Sequence, residues 1–232
     1  MLEIRRSSER GYFDHGWLKT FHTFAFADYY DPNWVGYGPL RVINDDCVAP
    51  GQGFGKHGHR DMEILTYILA GQLEHRDSMG NGSVIRVGDV QRMSAGTGVT
   101  HSEFNPSATE EVHLLQIWIL PEAQRLAPGY EQKHFGAADK RGRLRLIAAH
   151  GGEDGAVLIH QDARVYAGLF DGAERAQFQV PAGRRAWLQL ARGTLSADDV
   201  RLSAGDGART AGPAQLTLHD GADAEVLLFD LP

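Results

Sequence analysis

The sequence predicts an all-β protein built from two strand-rich halves in tandem. Twenty-eight glycines punctuate many short runs of β-branched and aromatic residues, the spacing of sandwiches and barrels. Almost no segment sustains the 3.6-residue apolar period of a helix. The second half also repeats the first in outline: "VPAGRRAWLQLARGTLSADDVRLSAGDG" follows the strand, glycine, strand, turn and Gly-Asp order of "KHGHRDMEILTYILAGQLEHRD…VIRVGDV".

Taken in order, residues 1 to 35 crowd Phe21, Phe24, Phe26, Tyr29, Tyr30 and Trp34 into a short space. They read as one or two strands laid over a barrel, with large aromatic area buried as packing rather than as pocket wall. His15 and His22 receive no ligand role, and His22 is read as a satisfied polar group among aromatics. A strand follows from Leu40 to about Asn44. The adjacent Asn44, Asp45 and Asp46 could form a metal cluster, but a polar triplet at a strand end is read as turn chemistry. Beyond residue 62, "MEILTYILAGQLEHRDSMGNGSVIRVGDVQRMSAG" reads as alternating strands and turns, with the glycines at 80 and 82 at a hairpin tip. His75 is read as a surface or barrel-edge histidine. Val112 to Leu120 is a strongly apolar strand whose polar positions are His113 and Gln116; register decides which points inward. Two prolines and a glycine between Pro121 and Phe135 mark the connection between the halves; His134 within it is unassigned. The expected division is residues 1–125 for the first barrel, 126–140 for the linker and 141–232 for the second barrel.

Length and composition bound the function. A chain of 232 residues with 42% hydrophobic content can bury a sizeable core. A net charge of −7 argues against a nucleic-acid or anionic-membrane binder, since these need basic patches. The single cysteine, Cys47, rules out an intramolecular disulfide and fits a reducing compartment. With no apolar run of roughly 18 residues and no charged-then-apolar leader, the expected location is the cytoplasm.

Chemistry concentrates between Gly51 and Glu103. In "GQGFGKHGHRDME", His57 and His59 stand two apart; in "SAGTGVTHSEFN", His101 and Glu103 repeat that spacing. Residues i and i+2 of a strand share a face, so each run presents two metal-ligating side chains together. Three neutral imidazoles and one carboxylate suit a divalent first-row metal with positions left open. In the second half Gly183, Arg184 and Arg185 stand where the first has its ligand-bearing strand, and His219 is followed by Asp220 and Gly221, which reads as a turn. The second barrel is therefore expected to lack a metal site.

These residues carry a family resemblance. Gly51, His57, His59 and Glu63 resemble the first cupin motif, and Gly88, Gly98, His101 and Asn105 the second. Within cupins, "HGHRDMEILTYIL", "MSAGTGVTHSE" and "HGWLKTFHTFAFADYYDP" resemble the pirin family, specifically bacterial pirins described as quercetin 2,3-dioxygenases, nearly end to end. Two departures from the general cupin pattern stand out: Gly71 falls one residue late, and Ser94 replaces the second motif's proline. The resemblance implies a bicupin, two jelly-roll-like β-barrels in tandem. In most cupins the acid at position 63 would be the ligand; the pirin resemblance gives that role to Glu103, with Glu63 nearby, and strand parity alone does not choose.

A divalent ion with three imidazoles and one carboxylate keeps a charge of about +1 and attracts an anionic oxygen ligand. An aromatic enol offers two chelating oxygens. The activity that the resemblance implies is dioxygen-dependent cleavage of a flavonol's heterocyclic ring with release of carbon monoxide, the substrate proton going to Glu103 or Glu63. Iron(II) is the first choice of metal, with manganese, cobalt, nickel, copper and zinc as alternatives. Two other readings stand beside it: a metal-dependent or redox-sensing partner of another protein, as the resemblance to nuclear pirins of animals implies, and a dioxygenase for another enol or phenol.

Overall fold

The computed structural model describes residues 2–232, and strands make up most of the regular structure. The strands are β1 (Glu3–Arg5), β2 (Gly11–Asp14), β3 (Leu18–His22), β4 (Leu40–Val48), β5 (Gly53–His59), β6 (Glu63–Ala70) and β7 (Gln72–Asp77). They continue as β8 (Gly82–Arg86), β9 (Asp89–Ser94), β10 (Val99–Phe104), β11 (Val112–Ile119) and β12 (Gly129–His134). After the short helix α1 (Ala137–Lys140) come β13 (Arg145–His150), β14 (Val157–Ile159), β15 (Arg164–Gly172) and β16 (Ala176–Val180). The last are β17 (Arg185–Ala197), β18 (Val200–Ser203), β19 (Gly207–Ala211) and β20 (Ala214–Leu231). Among the described residues no helix is long and apolar enough to cross a membrane.

The chain packs as two units whose limits differ from the expected 125 and 141. One holds Gly11–His134 with Val157–Gln161; the other holds the stretch ending at Arg10, Phe135–Ala156 and Asp162–Pro232. The expected linker is partly strand, because β12 pairs along β9 from Gly129↔Ser94 to His134↔Asp89. The chain's start belongs to the second unit because β1 pairs with β19. Residues 157–161 return to the first, where the Leu158 N–H donates to Glu131 Oε2 at 2.7 Å and Gln161 Nε2 donates to the Leu120 carbonyl at 2.8 Å. Local sequence carries no sign of such distant pairings.

In the first unit a seven-stranded antiparallel sheet, ordered β12-β9-β6-β11-β4-β3-β2, accompanies a four-stranded sheet ordered β5-β10-β7-β8. Leu18, Val48, Ile68 and Leu114 of the larger sheet pack with Leu73 and Ile85 of the smaller. A second apolar cluster gathers Ile64, Met93, Ala95 and Val99. The turn at Gly71, with φ +71°, joins β6 to β7 where a side chain would be strained and would crowd Val112.

Along the inner face of the larger sheet, polar residues separate these apolar clusters. Cross-strand register aligns Gln91, Thr66, Gln116, Asn44 and His22 on neighbouring strands. Directly opposed residues share a face, so this row lies between Ile64 and Ile68 on β6. The polar triplet expected at a strand end is instead inside β4, which runs on to Val48; Asn44 and Asp46 point inward and are 5% and 4% exposed. Of the N-terminal aromatics, Phe24 and Trp34 are buried and Tyr30 is exposed. His22 is buried with its ring against Phe13, Phe26 and Tyr29.

The second unit carries a sheet ordered β1-β19-β17-β20-β15-β13, with β16 beside β20 and β18 beside β17. Its centre is a continuous apolar cluster including Phe170, Leu188, Leu190, Leu216, Leu218, Val226 and Leu228. Arg184, where the first half has its histidines, donates from Nε to Asp230 Oδ1 at 2.6 Å and from Nη1 to Asp162 Oδ2 at 3.0 Å. The expected turn after His219 is an irregularity within β20, whose Asp220 takes φ 51°.

Candidate metal centre

The site begins with two antiparallel strands of the smaller sheet. In β10 the burial alternates, with Val99, His101 and Glu103 turned inward; in β5, His57 and His59 are more covered than their neighbours Lys56 and Gly58. Register sets His101 opposite His57 and Val99 opposite His59. One extra residue on β5 then shifts the pairing, so Glu103 faces Phe54. Such a bulge bends the strand and re-aims its side chains. Gly53 permits the close approach that follows, since a Cβ there would collide with the Glu103 carbonyl.

The three histidines converge. One ligand nitrogen from each of His57, His59 and His101 lies within 4.8 Å of the others, and His101 Nε2 is 3.0 Å from His57 Nε2. His57 Nδ1 is 2.8 Å from the Gly55 carbonyl, an arrangement in which Nδ1–H donates and Nε2 keeps its lone pair for a metal. Burial, aided by His57, lowers the His59 pKa to about 4. Burial and the surrounding imidazoles lower that of His101 to about 3. Neutral rings with converging lone pairs are the state that a divalent cation requires, so the residues present fit a metal.

Glu103 is 3% exposed and is held by Gln116, whose Nε2 donates to its Oε1 at 3.3 Å and Oε2 at 3.1 Å. Thr66 donates to Gln116 Oε1 at 3.1 Å, so both ends of that amide are engaged. Register thus turns Gln116 inward, while His113 lies 2.6 Å from Asp45 Oδ1. Burial raises the Glu103 pKa to about 7 against the opposing Gln116 hydrogen bond. Glu103 belongs to a second grouping, with His75 and His101, also within 4.8 Å.

His75 corrects the sequence reading, for it is fully buried rather than at an edge. Cross-strand pairing sets His75 opposite Glu103 and Asp77 opposite His101. His101 Nδ1 lies 3.4 Å from His75 Nδ1, and His75 Nε2 lies 3.2 Å from Asp77 Oδ2. Burial alone would raise the Asp77 pKa, but hydrogen bonds from Asn81, His75 and backbone N–H groups hold it low. A carboxylate behind one histidine behind another orients the outermost ring. The one signal in the sequence was that Leu73, His75 and Asp77 alternate along one strand face.

Glu63 is placed elsewhere. It accepts a hydrogen bond from Ser94 Oγ at 2.8 Å and lies 3.2 Å from His160 Nδ1, 1% exposed and outside the cavity described next. Strand parity, counted on from His57 and His59, would put Glu63 on their face, but the chain turns between β5 and β6, which belong to different sheets. On β6 Glu63 is three residues from the inward Thr66, hence on the opposite face.

Beside the histidines opens a cavity of about 470 Å³, lined by His57, His59 and Glu103, by Asn44, Asp46 and Gln116, and by Trp17, Phe26, Phe54 and Trp118. Phe26 is therefore pocket wall, contrary to the packing-only expectation. Trp118 stands edge-on to His59 with centroids 5.0 Å apart, and to Phe26 at 5.3 Å. Burial lifts the Asp46 pKa to about 7, with the Thr20 hydroxyl pulling the other way.

Comparison with known proteins matches this geometry to a family. The Pirin family profile covers residues 3–119, and one described as the quercetinase C-terminal cupin domain covers residues 146–231. The chain is 47% identical to quercetin 2,3-dioxygenase of Escherichia coli K12, over all of this chain and 99% of that protein. A pirin-like protein of Caulobacter vibrioides is 40% identical over 99% of both chains. Among solved structures, E. coli YhhW superposes with a TM-score of 0.96 at 47% identity, covering 100% of this chain and 98% of that one. Bacterial pirin YhhW in complex with nickel(II) superposes at 0.94 with 46% identity, covering 100% and 99%. With two cupin-type domains matched along nearly its whole length, the chain belongs to the pirin family.

Proposed function

We propose that this chain is a metal-dependent dioxygenase that cleaves the heterocyclic ring of a flavonol such as quercetin, consuming dioxygen and releasing carbon monoxide. The observation that carries this reading is the meeting of three neutral imidazoles with an aromatic-walled cavity of about 470 Å³. Its size suits a drug-sized ligand, and its Trp and Phe walls suit flat rings. The identity to a protein named quercetin 2,3-dioxygenase supports the same reaction.

His57, His59 and His101 would hold the metal with Glu103 as the acidic ligand. When bound, the metal supplies positive charge that lowers the pKa of a coordinated enol and brings it together with dioxygen. Iron(II) is our first assignment because it exchanges electrons readily; the donor set equally accepts nickel, the ion in the YhhW complex. Of the two acids named from the sequence, Glu103 lines the cavity and Glu63 does not. Glu103 is therefore our choice of base for the substrate hydroxyl, a role for which its place in the cavity wall suits it. Gln116 would steady the carboxylate as its charge changes. The aromatic walls orient the rings and exclude water.

Cytoplasmic residence is part of this proposal. Cys47 is a free thiol whose pKa burial pushes up to about 12, which leaves it unreactive in a reducing compartment. The test is oxygen uptake and carbon monoxide release with quercetin, for wild type and His57→Ala. Loss of both in the variant is expected; equal rates would remove the metal centre from the reaction.

A further inference from the structure

A histidine that ligates a metal is ordinarily oriented by a hydrogen bond from its other ring nitrogen, and two of the three histidines here have a partner for it. His57 Nδ1 is 2.8 Å from the Gly55 carbonyl, and His101 Nδ1 is 3.4 Å from His75 Nδ1, which Asp77 backs. Among the described residues His59 is held by no hydrogen bond. Its ring meets Trp118, with centroids 5.0 Å apart and planes at 81°, and the other two histidines, His57 at 4.8 Å and His101 at 4.9 Å. Those two belong to the same centre, so of these rings only Trp118 ties His59 to the rest of the fold. Near-perpendicular aromatic rings at this spacing attract, the positive edge of one meeting the negative face of the other. Trp118 is itself well seated, packed on the buried Ile64, Met93, Ala95 and Val99 and edge-on to Phe26 at 5.3 Å. Gln116 stands two residues earlier, on the same face of β11, and holds Glu103. One strand of the larger sheet thus reaches across to the acid on β10 and to the otherwise unsupported histidine on β5.

We propose that Trp118 is a positioning residue for the metal centre, its edge-on contact doing for His59 what hydrogen bonds do for His57 and His101. This rests on the metal reading above and adds to it the side chain that sets the third imidazole. Trp118 also lines the cavity, so the indole that orients His59 is part of the wall that receives the substrate's rings.

The test is cobalt(II) affinity, measured against a chelator, together with the visible absorption bands of the cobalt-loaded protein, which report ligand geometry without turnover. Trp118→Leu should weaken cobalt binding about tenfold, the lower end of the range for removing a ligand's supporting partner, and should shift the bands. Trp118→Phe keeps an aromatic wall and should restore the wild-type bands, with affinity within about threefold of wild type. Should the leucine variant fail to fold, Trp118→Met keeps more of the bulk and should show the same loss. In a His59→Ala background, Trp118→Leu should cost less than about twofold more, because the contact that couples the two residues is already gone. Wild-type affinity and bands in Trp118→Leu, equal losses with Phe and Leu, or the full loss persisting without His59 would each overturn the proposal. A lowered Tm with unchanged cobalt bands would make Trp118 packing alone, and also overturns it. Wild type that binds cobalt while these variants behave so refutes the positioning role by itself. Wild type that binds no cobalt refutes the metal reading and the positioning role with it.

Discussion

The interiors of the two units divide two demands that compete within any barrel. In the second, Leu188, Leu190, Leu216, Leu218, Val226 and Leu228 fill the centre with apolar side chains. In the first, the row from Gln91 through Thr66 and Gln116 to Asn44 interrupts the apolar face, and the histidines stand where a closed core would need aliphatics. Each buried polar group without a partner costs about 1–3 kcal/mol, and Asn44 and Gln91 each hold one such atom. The difference teaches that the fold tolerates a polar interior and that chemistry, not architecture, put one in the first unit.

The sharpest way to break that contrast is to remove one residue from each interior. His101→Ala should abolish stoichiometric metal binding and cut carbon monoxide release at least about a hundredfold, with little change in thermal unfolding. Leu190→Ala should do the reverse, costing about 2–5 kcal/mol by denaturant unfolding while metal content stays at wild-type level. If His101→Ala unfolded the protein and Leu190→Ala emptied the metal site, the division of labour would be wrong.

Next in size is the support behind the metal. His75→Ala and Asp77→Asn should weaken metal affinity about 10- to 100-fold in competition with a chelator, the usual effect of removing a ligand's hydrogen-bond partner. Unchanged affinity would make the His101–His75–Asp77 chain mere packing.

Titration sharpens the comparison further. In metal-free protein Glu103 has a pKa raised to about 7 from 4.5 and Asp46 one raised to about 7 from 3.8. The native state therefore keeps protons that the unfolded state has released, so their contribution is present at low pH and lost as pH rises through about 7. His59 and His101 fall to about 4 and about 3 from 6.5; their contribution is present above 6.5 and lost as pH falls toward those values. The two trends oppose between pH 4 and 6.5 and largely cancel. Metal-free Glu103→Gln should upset this balance, its stability relative to wild type rising by on the order of 2 kcal/mol from pH 5 to pH 7. A difference independent of pH would mean that the native carboxyl titrates normally.

The smallest effect on the metal is expected from Glu63→Gln. Its hydrogen bonds run to Ser94 and His160, so metal affinity should stay within about twofold while stability falls by about 1–3 kcal/mol. Loss of metal would return Glu63 to the centre.

The all-β class and the pairing of His57 with His59, and of His101 with Glu103, were legible because period-two alternation is a local property that survives folding. Parity could not carry from His59 to Glu63, because Arg60–Met62 turns the chain into another sheet. Nor could it place His75 behind His101, which depends on the register between β7 and β10, strands 26 residues apart at that contact. Asn44 and Asp46 were misread for another reason: polar residues favour turns statistically, and only the pairing of β3 and β11 with β4 draws them into a strand. The earliest strand, Glu3–Arg5, closes on Gly207–Ala211 from the far end of the chain, a pairing no local pattern announces.

A crystal of metal-loaded protein, measured at the absorption edge of nickel or iron, tests the central claim most directly. One anomalous peak within coordination distance of His57, His59 and His101, with the Glu103 carboxylate drawn to it, is the predicted result. A peak on His75, or none near the three histidines, would contradict it.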